Sequence, residues 1–269
     1  MGVARSTYYY SPQETKQKED ADMRDRMETL ALRFPRYGYR RMTAQLKRDG
    51  FHVNHKRVLR IMRESELLCK PFKRFVRTTD SHHRLPVYPN LYQNQHPDQR
   101  NRIWVADITY IRLALCFVYL AVILDAFSRK VIGWALSRRL DAELTLEALR
   151  SALLSRQPTP ECIHHSDQGV QYASGQYTTL LKQHGFHISM SRKGNPYDNA
   201  VAESFFKTLK VEEVYLADYQ TEAEARARIP YFIDQVYNQE RLHSALGYKP
   251  PNEFEIIDKQ PPTYVLTPP

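Results

Sequence analysis

The sequence predicts an α/β domain with a mixed sheet, preceded by a small all-α domain, and two observations separate them. Residues 1–102 hold 22 Lys and Arg against 11 Asp and Glu, whereas residues 103–269 hold 17 against 19. The hydrophobic pattern changes at the same place, from helical spacing to the alternation of β-strands. A basic module joined to a nearly neutral α/β domain is typical of a protein that binds a polyanion, most simply DNA, and does chemistry on it.

The all-α domain is predicted to span residues 20–68 and to begin with two short helices. The first runs from about Asp20 to Arg33. The second follows Tyr37-Gly38-Tyr39 and ends at Gly50, because glycine suits the left-handed backbone position after a helix. With a third helix after them, this pattern is helix-turn-helix-like.

The third helix, residues 55–67, is the element predicted to meet DNA. Asn54 can cap it, and Val58, Ile61 and Met62 form one apolar face. Cations occupy its other sides and the start of the second helix. The predicted DNA contacts of this domain are Arg40, Arg41, Lys56, Arg57, Arg60 and Arg63. A merely solvated basic surface is the alternative.

Three further segments flank or join the two domains. Residues 69–102 contain four prolines and little periodicity, which predicts a basic linker. Residues 1–19 precede the first helix, and residues 241–269 are predicted to be a C-terminal extension.

The α/β domain, predicted over residues 103–240, has a recognisable order of elements. Three strand patterns with short connections predict an antiparallel meander, over residues 102–113, 116–127 and 129–137. Helices and strands then alternate, over residues 141–154, 161–167, 174–184, 185–190 and from Asn199, before a long helix from Glu222 to Gln239. This order is that of a ribonuclease-H-like α/β fold.

Three acids in this domain are candidates for metal-dependent chemistry. Asp107 lies within the first strand, Asp167 ends the fourth, and Glu203 lies in the helix after it. Carboxylates that converge from separate elements repel one another unless a cation lies between them, and oxygen ligands favour Mg²⁺ or Mn²⁺. Taken singly, each acid also has an ordinary structural explanation. Asp125, at a hairpin bend, and Asp198, at a helix N-cap position, are interpreted as structural.

Other kinds of site are disfavoured by spacing. None of the ten histidines begins a His-x-x-Arg or His-x-His element, which argues against a tyrosine nucleophile. His164 and His165 have no partners at zinc-ligand spacing and are expected to pack or hydrogen-bond around Asp167. Cys69, Cys116 and Cys162 suggest buried reduced thiols rather than disulfides. No apolar stretch is long enough for a membrane span, and no secretion signal is present, so a cytoplasmic protein is expected.

The joint pattern resembles the DDE transposases and retroviral-type integrases, and specifically the catalytic subunit of the bacterial insertion-sequence family called IS-three (IS3). The matching residues are 104–110 (WVADITY), 165–172 (HSDQGVQY) and 198–210 (DNAVAESFFKTLK), with 35 residues between Asp167 and Glu203. The likeness continues into residues 37–41 and 237–248. No chemical role is predicted for residues 237–248, which are expected to form a structural turn packed beside the catalytic domain.

The resemblance implies a polynucleotidyl transferase that cleaves the terminal inverted repeats of an insertion sequence and joins them to target DNA. Asp107, Asp167 and Glu203 would be its catalytic residues and the ligands of two Mg²⁺ ions, for which Mn²⁺ can substitute. DNA contacts are expected from residues in and before the Glu203 helix: Arg192, Lys193, Asn199, Lys207 and Lys210. A solvated basic face is the alternative for Lys207.

The resemblance also implies partners. The enzyme would form a homo-oligomer on DNA in the bacterial nucleoid, joined by ribosomal frameshifting to an upstream helix-turn-helix protein whose end resembles residues 4–10. Two alternative functions stay open at this point. One is a phage-type integrase or nuclease on the same fold, and the other is a catalytically silent DNA-binding regulator.

Overall fold

The computed structural model describes residues 13–69, 85–158, 160–192 and 196–258, with only the backbone described at 13–17, 196 and 197. These residues form two compact units, one before residue 70 and one after residue 84. Residues 1–12, which include most of the predicted join region, lie outside the described residues, as do the middle of the predicted linker and the C-terminal tail from residue 259.

Three helices form the first unit: α1 (Gln13–Arg33), α2 (Tyr39–Arg48) and α3 (His55–Glu64). The predicted cap is confirmed, because the Asn54 Oδ1 accepts a hydrogen bond from the backbone amide of Arg57 at 2.9 Å. Gly50 has a φ of +92°, the left-handed conformation expected after α2. The predicted apolar face of α3 is also confirmed, since its three members are fully buried.

A five-stranded mixed sheet with the order β3-β2-β1-β4-β5 forms the centre of the second unit. Its strands are β1 (Ile103–Arg112), β2 (Phe117–Asp125), β3 (Val131–Ser137), β4 (Ile163–Ser166) and β5 (His187–Met190). The first three are antiparallel, which confirms the predicted meander. β4 is parallel to β1, and β5 is parallel to β4.

Helices cover both faces of the sheet. They are α4 (Ala142–Ser155), α5 (Val170–Ala173), α6 (Gly175–Gln183), α7 (Ala200–Leu209), α8 (Glu222–Tyr231) and α9 (Pro251–Asp258). α4, α5 and α6 pack on the face that carries Trp104 and Ala106. α7 and α8 pack on the opposite face, which carries Ile103 and Val105. Because side chains alternate along a strand, Asp107 shares the second of these faces.

Two of these helices continue in wider π-helical turns. α7 runs on through Lys210–Val214, and α8 runs on through Phe232–Glu240. Pro230 lies inside α8 just before its change of winding, and a proline removes one backbone donor from the helical ladder. The predicted long helix from Glu222 to Gln239 is therefore continuous in space but changes its hydrogen-bond pattern half-way.

Some expectations from the sequence are wrong. Residues 85–102 are not an independent linker, because the Leu91 amide donates a hydrogen bond to the Ser189 Oγ of β5 at 2.8 Å. Residues 241–258 are part of the second unit rather than an extension, since the Arg241 side chain is 4% exposed. Cys162 is buried as expected, but Cys69 and Cys116 are exposed.

The two acids interpreted as structural have different outcomes. Asp125 is fully buried at the bend after β2 and accepts hydrogen bonds from the backbone amides of Asn101, Phe127 and Ser128. Asp198 is structural too, but the position before α7 belongs to Asn199, and Asp198 instead binds the Arg192 guanidinium. Within the part of the chain that the structure describes, no helix has the length and apolar character needed to cross a bilayer.

The close packing of α4 on β3 depends on Gly133. A Cβ at this position would lie 2.5 Å from both the Ala148 oxygen and the Ala152 nitrogen, which are backbone atoms and cannot rotate away. We expect Gly133→Ala to lower the free energy of unfolding by about 1–3 kcal/mol, the usual cost of overpacking. Urea unfolding measures this change. Gly175→Ala is the control, because its Cβ would meet nothing within 4 Å; equal losses in both variants would contradict the packing argument.

Candidate active site and DNA-contact residues

Asp107 and Asp167 both lie just beyond the pairing of β1 with β4. Val105 pairs with His165, the last pair of this parallel ladder, and each aspartate follows two residues later along its chain. Both negative charges help to raise the pKa of the buried Tyr172, so both carboxylates lie near that ring. The two carboxylates are both partly exposed, so water and ions can reach them.

Local hydrogen bonds fix the direction of both aspartates. The Asp107 Oδ1 accepts from the backbone amide of Ile108 at 2.8 Å, and the Asp167 Oδ1 accepts from the amide of Gly169 at 2.9 Å. A Cβ on Gly169 would lie 2.9 Å from that same Asp167 oxygen. Glycine is therefore required here so that the chain can turn into α5 without pushing the carboxylate away.

Glu203 lies on α7, which packs on the sheet face that Asp107 shares. This helix packs on β1 through Ala202 and Phe205, which are fully buried with Val105 in one apolar cluster. At the start of the helix, the Asn199 Nδ2 lies 3.5 Å from the Ala106 oxygen, one residue before Asp107. Glu203 follows one helical turn later and is partly exposed.

Lys210 lies at the far end of the same helix and is also close to the site. Its Nζ lies 4.8 Å from the centre of the Tyr110 ring, a cation–π arrangement. Burial lowers the pKa of Lys210, and the negative charge of Asp107 opposes that shift. The ammonium group is therefore held between an aromatic ring and the acid site.

The buried groups beneath the acids are neutral. Tyr172 is buried, and its pKa is raised well above the ordinary value by burial first, then by Tyr177, Asp107 and Asp167. Burial likewise lowers the pKa of His164 to about 3 and that of His165 to about 4. Their ring nitrogens lie 3.0 Å from the Tyr177 hydroxyl and 2.8 Å from the Ser189 Oγ. The expectation that they pack is confirmed, but these hydrogen-bond partners lie on α6 and β5 rather than at Asp167.

The three acids share one interface, but they do not converge on a single point. Among residues 13–69, 85–158, 160–192 and 196–258, no three His, Cys, Asp or Glu side chains are grouped closely enough to hold one ion. Mg²⁺ is commonly bound by only one or two carboxylates, with water and substrate phosphate as the other ligands. The Asn199 Oδ1, close to Asp107, is buried and lacks a hydrogen-bond partner within the described chain. This all-oxygen set of donors fits a hydrated Mg²⁺ or Mn²⁺ ion.

Two of the cations predicted to bind DNA in the first unit are already paired. Asp20 on α1 lies 2.6 Å from both Arg57 and Arg60 of α3, and Glu64 lies 2.9 Å from Arg60. These arginines join α3 to α1, a role that the sequence analysis did not foresee. Lys56 and Arg63 are exposed on α3, whereas Arg40 and Arg41 lie over the rings of Tyr39 and Tyr37. Arg40 is exposed and suits contact with nucleic acid, whereas Arg41 is partly buried and the Tyr37 ring beneath it is buried.

The side chains predicted to contact DNA around Glu203 also include some that are used inside the fold. Arg192 is exposed but paired with Asp198, and Asn199 is buried, so its side chain serves the α7–β1 contact rather than DNA. Lys207 is exposed, and Lys210 is partly buried. Lys193 lies outside the described residues.

Comparison with known proteins identifies the family. Two models described as "Integrase core domain" match residues 97–196 and 184–251, and one described as "HTH-like domain" matches residues 17–75. The chain is 39% identical over 259 residues to a 31 kDa protein of insertion element IS600 from Shigella sonnei, covering 94% of this chain and 95% of that one. It is 37% identical over 262 residues to the transposase InsF of IS3A from Escherichia coli strain K12, covering 95% and 91%.

The chain belongs to the IS3 family of transposases. It is a DNA transposase, an enzyme of the polynucleotidyl transferase type, and its helix-turn-helix-like domain makes DNA its partner. A further relative is the transposase of IS904 from Lactococcus lactis, 41% identical over 224 residues and covering 82% of this chain and 87% of that one.

A solved structure supports the predicted fold. A chain of the simian T-cell lymphotropic virus intasome, solved with the PP2A regulatory subunit B56 gamma, superposes with a TM-score of 0.51. The match covers 90% of the IS3-family chain and 76% of the intasome chain. Because the two are 16% identical, the likeness concerns the fold alone. The prediction of a ribonuclease-H-like core preceded by an all-α helix-turn-helix-like domain is confirmed.

The transposase also contains a brace for α7 that the sequence analysis left without a specific role. Phe205, two residues beyond Glu203, meets the ring of Tyr237 edge-on, with the ring centres 4.8 Å apart. The Asn238 amide forms hydrogen bonds of 3.1 and 3.0 Å with both backbone groups of Val131. Arg241 binds both carboxylate oxygens of Glu212, at 2.7 and 2.6 Å. These roles follow from the residues that Tyr237, Asn238 and Arg241 contact, which lie up to 107 residues away in the chain.

We expect Arg241→Met to lower the free energy of unfolding by roughly 3–5 kcal/mol, because Glu212 would stay buried without its cation. The two side chains are 4% and 11% exposed in the transposase. The double variant Arg241→Met, Glu212→Leu is expected to recover most of the loss, since both charges are gone. Urea unfolding of the four proteins of this cycle measures the coupling. A double variant no more stable than Arg241→Met would contradict the buried ion pair.

Acid should destabilise the catalytic unit through its neutral histidines. The folded pKa values of His164 and His165, about 3 and about 4, lie below the ordinary value of 6.5. Their contribution to stability is therefore complete above pH 6.5 and is lost as the pH falls towards 4, where only the unfolded chain takes up the protons. Urea unfolding from pH 7 to pH 4 is expected to show a smaller loss for His164→Gln than for the unmodified enzyme. His187→Gln, an exposed histidine of β5, is the control and should leave the loss unchanged.

Proposed function

We propose that this transposase cleaves DNA at the terminal inverted repeats of its insertion sequence and joins the resulting ends to target DNA in a Mg²⁺-dependent reaction. Asp107, Asp167 and Glu203 are the proposed catalytic residues and the ligands of two Mg²⁺ ions, with Mn²⁺ as a substitute. The observation that carries the proposal is that Asp107 and Asp167, both partly exposed, each follow the last β1–β4 pair by two residues, while the helix of Glu203 packs on β1.

The choice of metal chemistry rests on the donors. The integrase core family is divalent-metal dependent. Two carboxylates on neighbouring segments of the chain repel each other, and a divalent cation relieves this repulsion. When bound, a pair of such ions activates the attacking oxygen and stabilises the leaving oxygen of a phosphodiester. No nucleophilic side chain is needed, because water or a DNA 3′-hydroxyl attacks the phosphorus.

The remaining work falls to the residues around the acids. Because Gly169 has no Cβ, nothing displaces the Asp167 carboxylate. The Asn199 amide holds the start of α7 against β1. Lys210 supplies a positive charge for the phosphate beside the cleaved bond. Lys207, exposed one turn beyond Glu203, meets the DNA backbone further along. Positioning and charge neutralisation are what phosphoryl transfer requires from a protein.

The proposal extends to the assembly. Because an insertion sequence has two ends, we propose a homo-oligomer that holds both ends on one complex. An upstream helix-turn-helix protein, fused by frameshifting, would supply further recognition of the inverted repeats. Salt should weaken general DNA binding strongly, since the exposed cations of the first unit neutralise phosphates.

The substitution Asp167→Asn tests the catalytic assignment. It keeps the oxygen that accepts from Gly169 but removes the negative charge, so we expect folding and DNA binding to persist while cleavage falls by at least a hundredfold. The assay incubates the enzyme, alone and fused to the upstream frame, with labelled inverted-repeat DNA and either Mg²⁺ or EDTA. Cleavage by the variant at the normal rate would refute the assignment.

Two comparisons complete this experiment. Glu147→Gln removes an exposed acid of α4 and should leave cleavage unchanged. Joining of 3′ ends to a second DNA distinguishes a transposase from a nuclease on the same fold, which only cuts. Binding without metal-dependent cleavage by the unmodified enzyme would instead indicate a silent regulator.

A further inference from the structure

A pair of exposed aromatic rings, one of them next to Lys210, has no part in the chemistry described above. Tyr110 is 37% exposed and Phe117 is 46% exposed. Their ring centres lie 5.6 Å apart with the planes at 85°, an edge-to-face pair. Exposed aromatic side chains are common singly, but a contacting pair next to a reaction centre is a surface with a defined shape.

The position of this pair follows from the sheet. Tyr110 is three residues beyond Asp107 on β1, roughly 10 Å along the strand, and because side chains alternate it points to the other face of the sheet. Lys210 links the two residues, since its Nζ lies against the Tyr110 ring and the charge of Asp107 acts on its pKa. β1 pairs with β4 only through Ile103, Trp104 and Val105, so at Tyr110 the side of β1 away from β2 is not covered by β4. Phe117 lies on β2, diagonally across from Tyr110, because Phe117 pairs with Arg112 and Tyr110 pairs with Tyr119.

Charge shows what kind of molecule this surface suits. The Lys210 ammonium lies 4.8 Å from the Tyr110 ring centre, and the exposed Arg112 is on the same stretch of strand. Aromatic rings interleaved with cations are the combination that binds single-stranded nucleic acid, in which bases stack on rings and phosphates meet cations. A flat apolar partner with negative charge beside it matches this surface.

We infer that Tyr110 and Phe117 form a stacking platform for one unpaired nucleobase close to the cleaved phosphodiester. This inference rests on the proposed function, in which Lys210 binds the phosphate beside the cleaved bond. The base leaves the duplex and stacks on the ring pair, while Lys210 binds the adjoining phosphate. The platform thereby fixes which bond of the strand lies over the acids.

A purely structural role for the pair makes a different prediction. Cross-strand aromatic pairs stabilise a hairpin by themselves, without any ligand. Replacing a ring of such a pair would lower the stability of the folded enzyme. The resulting change in DNA affinity would not depend on whether a base is present at one position of the DNA.

The experiment measures binding of the full chain to forked inverted-repeat DNA in EDTA, so that it does not depend on cleavage. Phe117→Ala is expected to weaken binding roughly tenfold and at most on the order of a hundredfold, the usual range for loss of one base stack. Tyr110→Phe keeps a ring beneath Lys210 and should bind normally. Leu115→Ala, at the 98% exposed residue of the same hairpin, is the matched control and should also bind normally.

Abasic substitutions identify the base. Each of the three nucleotides on either side of the cleavage point is replaced in turn by an abasic site. At one position, the abasic DNA should bind the unmodified enzyme about as weakly as normal DNA binds Phe117→Ala, and the two changes together should cost no more than either alone. Additive losses at every position, or a loss shared by Leu115→Ala, would overturn the platform. Failure of Mg²⁺-dependent cleavage with this binding pattern intact would count against the proposed function alone.

Discussion

The packing of α7 against β1 is the contact on which the candidate active site depends. Asp107 and Asp167 follow the last pair of the β1–β4 ladder, whereas the position of Glu203 depends on Ala202 and Phe205, which are buried against the sheet. An apolar contact thereby holds another negative charge on the helix that covers the face of Asp107. Hydrophobic burial and the repulsion among the acids act in opposite directions, and a bound cation relieves the second without disturbing the first.

The C-terminal part of the chain secures this helix from behind. Tyr237 packs on Phe205, and Arg241 binds Glu212 in the π-helical continuation of α7. A bidentate arginine–carboxylate pair fixes direction as well as distance, which suits a segment that carries Lys210 only two residues earlier. Burial of such a pair adds little net stability, so its effect is chiefly geometric. The brace links α7, the helix of Glu203, to the C-terminal part of the chain.

In both units, some of the cations that the sequence predicts to bind DNA form ion pairs inside the fold. Arg57 and Arg60 have the helical spacing of a DNA-binding face, yet Asp20 of α1 binds both. Arg192, in the loop before α7, is paired with Asp198. Spacing along one helix cannot reveal an acid on another element, so cation patterns overstate the number of side chains that DNA can reach.

The sequence by itself determined the order of strands and helices, the caps and apolar faces, and the three acids, because periodicity, turn residues and motif spacing are local properties. Tertiary structure decided which side chains meet. It placed Asp107 and Asp167 just beyond the last β1–β4 pair, turned Asn199 inward to β1, gave residues 237–248 their role as a brace, and exposed Tyr110 and Phe117 next to Lys210. These contacts join residues that are distant in the chain, and their energies depend on burial and geometry that exist only once the sheet and its helices have packed.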